Sequence, residues 1–309
     1  VGVDLEFAKN ILKIVGPVDL ADFNEVVDDK NLYEKTQRQI ESDFFPGSYK
    51  KTSFLTAVSR QLLTRVSEAG ESEFLPLALK MLESLEKRHV QVFLHNKSAQ
   101  VAVSFLGFDG AVNQPSCPGN CYVDWFGVVD ANVGVNKANY FLERELSFSA
   151  YLSGQDLKRY LTVRLKNSAN SALGDAGRYK TYLRVMLPIS TSVNDVLVTA
   201  GSFQEAQTPE IEEKSGRKEA GVLIEIGPGQ TKEVTFSWQE EIGLDFDKEG
   251  EYRLYVRKQA GTLEDKIAVI LYLPPGLKIS SQPLYSLTPD GGYGYNTVLT
   301  RDLFSRISW

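Results

Sequence analysis

Apolar residues recur at helical spacing through the first third of the chain and then alternate one-for-one through most of the rest, so one sequence carries two kinds of architecture. Leu5, Ala8, Ile11, Leu12 and Val15 line one face of a helix that Asp4 can cap and Gly16-Pro17 ends. Val18-Asp19-Leu20 reads as a short extended segment. Asp28 and Asp29 can cap a second helix carrying Leu32, Tyr33 and Ile40. After the loop Phe44-Phe45-Pro46-Gly47-Ser48-Tyr49, a third helix starts near Lys50, and Phe54, Leu55, Val58, Leu62 and Val66 predict that it packs inward. A fourth holds Phe74, Leu77, Ala78, Met81, Leu82 and Leu85 and stops at Lys87-Arg88-His89, cations that suit a helix C-terminus. Val90 to Leu94 predicts a buried strand and Ser98 to Leu106 a short helix.

The period changes within Trp125 to Tyr140, W-F-G-V-V-D-A-N-V-G-V-N-K-A-N-Y. Phe126, Val128 and Val129 predict a buried strand, Asp130 to Gly134 a polar turn, and Asn136 onward a long strand. Tyr140, Leu142, Leu146, Phe148, Ala150 and Leu152 then face one way, with Glu143, Glu145, Ser147 and Ser149 opposite. Further strands are predicted at Tyr160 to Leu165, Tyr182 to Leu187, Val196 to Thr199, Val222 to Ile226, Val234 to Trp238, Tyr252 to Arg257 and Ile267 to Leu273. Gly227-Pro228-Gly229-Gln230 and Asp247-Lys248-Glu249-Gly250 predict hairpins, and the polar run Gln204 to Ala220 a hairpin tip. The fold class that follows is α+β with two domains. A partial α/β layer, truncated at its N-terminus, covers 1–135; an immunoglobulin-like β-sandwich covers 136–276; a C-terminal tail, 277–309, packs on the sandwich.

The 309 residues suffice for two cores, and 42% hydrophobic with 24% charged residues is ordinary for a globular protein. A net charge of −6 argues against nucleic acid as a partner. No apolar run is long enough to span a membrane, and no signal peptide opens the chain. The chain begins at Val1 in Val-Gly-Val-Asp, which reads as the end of a strand, so the expectation is a piece of a longer protein.

Cys117 and Cys121 flank a Pro-Gly turn, a spacing that lets the two Cβ atoms approach bonding distance; a structural disulfide, and with it an oxidising compartment, is expected, two free thiols being the alternative. With His89 and His95 lacking other ligand types nearby, no metal site and no cofactor are predicted. Nucleophile elbows, phosphate loops and dinucleotide fingerprints are absent from the sequence. Arg38, Lys50, Lys51 and Arg60 form a candidate anion-binding group beside the Pro-Gly-Ser loop, or simply solvate helix faces. Asp130, Asn132, Asn136, Lys137 and Asn139 concentrate hydrogen-bonding groups; they either tie a joint between domains or form a recognition site there. Tyr293 and Tyr295 either stack on sugar rings or pack on the sandwich.

Gly16-Pro17-Val18, Asn31-Leu32-Tyr33, the run V-V-D-A-N-V-G-V-N-K-A-N-Y-F and Gly177-Arg178-Tyr179-Lys180-Thr181-Tyr182-Leu183-Arg184-Val185 resemble the bacterial envelope family called domain-of-unknown-function family 4012. The resemblance spans nearly the whole chain. It implies an extracytoplasmic, envelope-associated protein, anchored by an N-terminal membrane helix outside this chain. The α/β part of that family is similar to LytR–CpsA–Psr proteins, which transfer lipid-linked glycopolymers to the cell wall. Lys50 stands where those proteins carry the first of two arginines. Three functions follow as expectations: a scaffold or glycopolymer-binding protein; a phosphotransferase whose cationic cluster and Mg²⁺ hold a polyprenyl-pyrophosphate lipid; or an adhesion and assembly module.

Overall fold

The computed structural model describes residues 2–41, 49–112, 114–134, 138–171, 174 and 177–309, which divide into two compact units, 1–112 and 113–309. In the first unit the elements run β1 (Gly2–Val3), α1 (Leu5–Val15), β2 (Val18–Leu20), β3 (Glu25–Val27), α2 (Leu32–Glu41), α3 (Tyr49–Ser67), α4 (Glu71–Glu86), β4 (Val90–Gln91) and α5 (Lys97–Phe105). Asp4 caps α1 by accepting from the Phe7 N–H at 3.0 Å, and its second oxygen lies 2.7 Å from His89 Nδ1. That contact and the β1–β4 pairing tie the start of the unit to its far end. Asp28 caps α2, accepting from Asn31 N–H at 2.8 Å. Leu12, Val18, Leu20, Val27, Leu32, Phe54 and Val58 close a small core, with Phe23 edge-on to Phe54 at 5.2 Å.

Two expectations for this unit change. The predicted strand Val90 to Leu94 shrinks to Val90–Gln91, because β1 offers it only two residues to pair with; Phe93 is exposed. Helix α4 presents its apolar side outward: Phe74 is 73% exposed, and Leu75, Leu79 and Leu82 are exposed with it. Its buried residue is Ser84, whose hydroxyl donates to the Lys80 carbonyl at 2.7 Å.

The second unit is built of β5 (Cys121–Asn132), β6 (Leu142–Ser153), β7 (Asp156–Asn167), β8 (Tyr179–Pro188), β9 (Ser192–Val193), β10 (Val196–Ala200), β11 (Phe203–Gln207), β12 (Glu210–Lys214), β13 (Arg217–Ile226), β14 (Thr231–Glu241), β15 (Glu251–Arg257), β16 (Asp265–Tyr272), β17 (Ser286–Leu287), β18 (Tyr293–Leu299) and β19 (Leu303–Ser308). One sheet has the order β11-β10-β14-β7-β6-β16-β18-β17, with β9 also on β14; the other runs β12-β13-β8-β5-β15-β19. All pairings are antiparallel except β5 with β15 and β6 with β16. The inner faces of both sheets share one hydrophobic core, in which Phe126 from the six-stranded sheet stacks on Phe148 of the nine-stranded sheet at 4.8 Å. The chain is therefore α+β and rich in sheet, as its alternating pattern requires.

The division falls after Val112 rather than near 135, because β5 pairs with β8 and β15 inside the two-sheet unit. Residues 277–309 hold β17, β18 and β19, ladder members of both sheets, instead of a tail laid on them. Ala138–Phe141 forms a 3₁₀ turn before β6, where a continuous strand was expected. The Gly227–Gln230 turn is tight, with the Gly227 N–H bonded to Gln230 Oε1 at 2.9 Å, yet it carries the chain from one sheet to the other instead of closing a hairpin. Residues 245–250 cross between sheets in the same way. The polar run from Gln204 contains β11 and β12, an edge strand of each sheet. Their charge suits edges, since Glu210, Glu212 and Glu213 discourage pairing with a further strand.

Candidate functional site

The predicted run at Asp130 meets the later Arg178-Tyr179-Lys180-Thr181 run where β5 pairs with β8, Asp130 opposite Leu183 and Asn132 opposite Thr181. Asp130 Oδ1 accepts from the Tyr179 hydroxyl at 2.7 Å and from the Thr181 hydroxyl. The Gln259 amide bonds both the backbone N–H and the C=O of Asp130, each at 2.9 Å. Gln259 Oε1 also accepts from Arg144 Nη1 at 2.7 Å, and Arg144 grips Asp265 through Nε and Nη2 at 2.9 and 2.6 Å. Burial alone would lower the Arg144 pKa, but the bidentate pair with Asp265 outweighs it and keeps the guanidinium charged. Burial, followed by Asp130, pushes the Tyr179 phenol up, so it remains a donor.

Asn132 Oδ1 accepts from the Gly134 N–H at 2.9 Å in an Asx turn, while its Nδ2 reaches Asn139 Oδ1 at 3.3 Å. Asn136 and Lys137 lie outside the described residues. The described members of the run thus bond to one another, to β8 and to Gln259, within the two-sheet unit. Asp130→Ala removes the acceptor of two hydroxyls, one of them on the buried Tyr179, and is expected to cost about 1–3 kcal/mol. A urea titration reads this as a lower midpoint; an unchanged midpoint would mean the cluster carries no stability.

A second network is centred on buried charges. Arg159 on β7 and Asp124 on β5 are both 0% exposed, with Arg159 Nη1 3.2 Å from Asp124 Oδ1 and Nη2 2.8 Å from Glu240 Oε2 on β14. Tyr252 on β15 donates to Asp124 Oδ2 at 2.7 Å, and the guanidinium lies 5.7 Å from the centre of the Trp238 ring. Burial raises the Asp124 pKa, with Arg159 opposing it. This cluster pins the two sheets together, with Arg159 and Asp124 sealed from solvent and Glu240 reaching the edge, where its other oxygen accepts from the Ser190 hydroxyl.

The side chains of Arg38, Lys50 and Lys51 lie outside the described residues, and Arg60 stands exposed on α3. No group of three or more His, Cys, Asp and Glu among the described residues could hold a metal ion. Cys117 and Cys121 form a disulfide with Cα atoms 5.8 Å apart. Tyr293 and Tyr295 turn inward: both pack on the core, and the Tyr295 hydroxyl donates to Ser305 Oγ at 3.0 Å.

Different tyrosines reach solvent, on the outer face of the nine-stranded sheet. Tyr151 on β6 is 40% exposed and Tyr160 on β7 is 43% exposed. The Tyr151 ring stacks on Tyr272 of β16 at 4.4 Å with planes 4° apart, and Tyr160 stands perpendicular to Tyr151 at 5.8 Å. Strand register surrounds them with small polar residues: Tyr160 lies opposite Ser149 and Ser237, while Thr162 lies opposite Ser147 and Thr235. Ala268 lies opposite Ser147 and Asn296. Tyr272 donates its hydroxyl to Asp290, a bond that pushes its phenol up to about 12, and Thr288 donates to the other oxygen of Asp290. Rigid rings amid Ser, Thr and Asn give contact area at low entropic cost together with adaptable hydrogen bonding, a composition typical of recognition surfaces. The alternation that places Ser147 and Ser149 outward also places Tyr151 there, the next outward position on β6.

No protein-family model matches the chain, and no curated protein does. Among solved structures, a Legionella pneumophila protein described as a "putative nutrient binding protein" is similar at 11% identity and TM-score 0.35, over 60% of this chain and 70% of that one. A Parabacteroides distasonis protein described as a "putative protease" is similar at 12% identity and TM-score 0.29, over 55% of this chain and 40% of that one. At these scores neither likeness carries an inference about this chain.

Proposed function

We propose that the protein is an extracytoplasmic, envelope-associated scaffold that binds glycopolymer on the outer face of its nine-stranded sheet. The tyrosine cluster at Tyr151, Tyr160 and Tyr272 carries this reading, because sugar rings offer apolar C–H faces to aromatic rings and hydroxyls to the Ser, Thr and Asn groups around them. The Cys117–Cys121 disulfide supports export, since such bonds persist in oxidising compartments. In the same reading the two-sheet unit is an enlarged immunoglobulin-like sandwich serving as a rigid support for that face, and membrane attachment comes from an anchor outside this chain.

Tyr160→Ala is expected to weaken glycan binding about tenfold or more, the ~1.4 kcal/mol scale of an aromatic contact residue. Its stability should change by no more than about 0.5 kcal/mol, because the ring is half in solvent. Titration calorimetry with purified envelope glycans, paired with a thermal melt, separates the two effects. Unaltered binding by both Tyr160→Ala and Tyr151→Ala would remove this face from the function.

A further inference from the structure

We infer, granting the glycan-binding reading above, that the glycan segment seated on the tyrosine face is electrically neutral rather than uronate- or phosphate-bearing. The charges on this face are arranged in two zones. At one end of the strands they are interlocked: Lys166 pairs with Glu143 at 3.1 Å, Glu145 with Arg164 at 3.2 Å and with Lys266 at 3.3 Å, and Arg164 with Glu233 at 3.8 Å. These groups neutralise one another and lie several residues along the strands from the rings, with about 3.4 Å per residue between them.

The middle of the face, Ser147, Ser149, Thr162, Thr235, Ser237, Ala268 and Asn296, carries no charge, and the Thr162 and Thr235 hydroxyls are 2.9 Å apart. Around the rings, one cation faces three anions. Lys158 is directly opposite Tyr151 in the ladder. Asp156 and Glu241 face each other where β7 and β14 meet at the same end. Asp290 sits on the far side of Tyr272, held below the usual carboxylate range by Thr288 and then Tyr272, so it is ionised at neutral pH.

An acidic polymer laid across Tyr160, Tyr151 and Tyr272 would therefore meet a negative edge on a chain that is itself negative overall. A neutral sugar meets rings, hydroxyls and an amide. A protein ligand would need a much wider interface, about 800 Å² per partner, built around a large apolar anchor; three rings in a field of small polar groups fit a narrow chain of sugars better.

The test is an array carrying neutral oligosaccharides and uronate- and phosphate-bearing ones, probed with the intact chain at low ionic strength. Neutral glycans should bind at least tenfold more tightly than acidic ones, and Asp156→Asn/Glu241→Gln should narrow that gap while leaving neutral binding unchanged. Acidic glycans bound as tightly as neutral ones would overturn the neutral preference but leave glycan binding itself standing. A gap that does not move in the double variant overturns it too. Failure of both classes to bind, or binding indifferent to Tyr160→Ala, would bring down the glycan-binding reading and this inference with it.

Discussion

Arg159→Leu is expected to destabilise the protein by about 3–5 kcal/mol, a large share of the roughly 5–15 kcal/mol that holds a folded domain together. The loss would come from what remains. Asp124 and Glu240, on different sheets, would face each other across the core with their shared cation gone, and Tyr252 could satisfy only one oxygen of Asp124. Asp124→Asn should behave differently. The buried cluster holds two carboxylates and one guanidinium, so this change leaves a balanced Arg159–Glu240 pair and keeps most hydrogen bonds, costing about 1 kcal/mol or less at neutral pH.

The pH dependence has a definite sign. The Asp124 pKa is raised above its ordinary 3.8, so the folded state binds the proton more tightly than the unfolded one. Its contribution is fully present below 3.8 and is lost as pH rises through the raised value. The stability of the native protein relative to Asp124→Asn should thus decline as pH climbs out of the carboxylate range. Urea titrations of both proteins at stepped pH measure this directly; a difference that grows with pH would contradict the burial argument.

Phe126→Ala is the second large effect. The ring is fully buried where the sheets meet, stacked on Phe148 and 6.2 Å from Trp238, so its removal leaves a cavity that two large rigid rings cannot fill without leaving their rotamers. A loss of about 3–5 kcal/mol is expected, seen as a lower melting temperature with the denaturant slope preserved. Phe126→Leu should recover more than half of it, since most of the volume returns.

Strand positions were readable in the sequence and strand partners were not. Leu146, Phe148, Ala150 and Leu152 are buried on β6 in the alternation that predicts them. The turn chemistry at Gly227–Gln230 predicts a hairpin because a tight reversal looks the same whether the next strand returns beside its predecessor or joins the facing sheet. Helical periodicity likewise shows that α4 has an apolar face, but not which way it turns. Charge hid β12, since Glu-Ile-Glu-Glu-Lys reads as loop unless an edge is waiting for it. The Cys117–Cys121 bridge was legible because its geometry is local. The tyrosine cluster is hidden for the opposite reason: alternation turns Tyr151 outward, but Tyr151 and Tyr272 are neighbours only through the parallel register of β6 and β16.

Those two parallel pairings also govern how the protein is made. Asp124 and Tyr252, on β5 and β15, are 128 residues apart, and Glu145 and Lys266, on β6 and β16, are 121 apart. Neither sheet can close until the ribosome has delivered β15 and β16, so β5 and β6 wait with one unpaired edge each. Contacts so distant in sequence predict slow folding, set by the search for partners more than by local hairpins. During that wait the open edges invite pairing with other copies, which makes a chaperone or a low local concentration a condition of high yield.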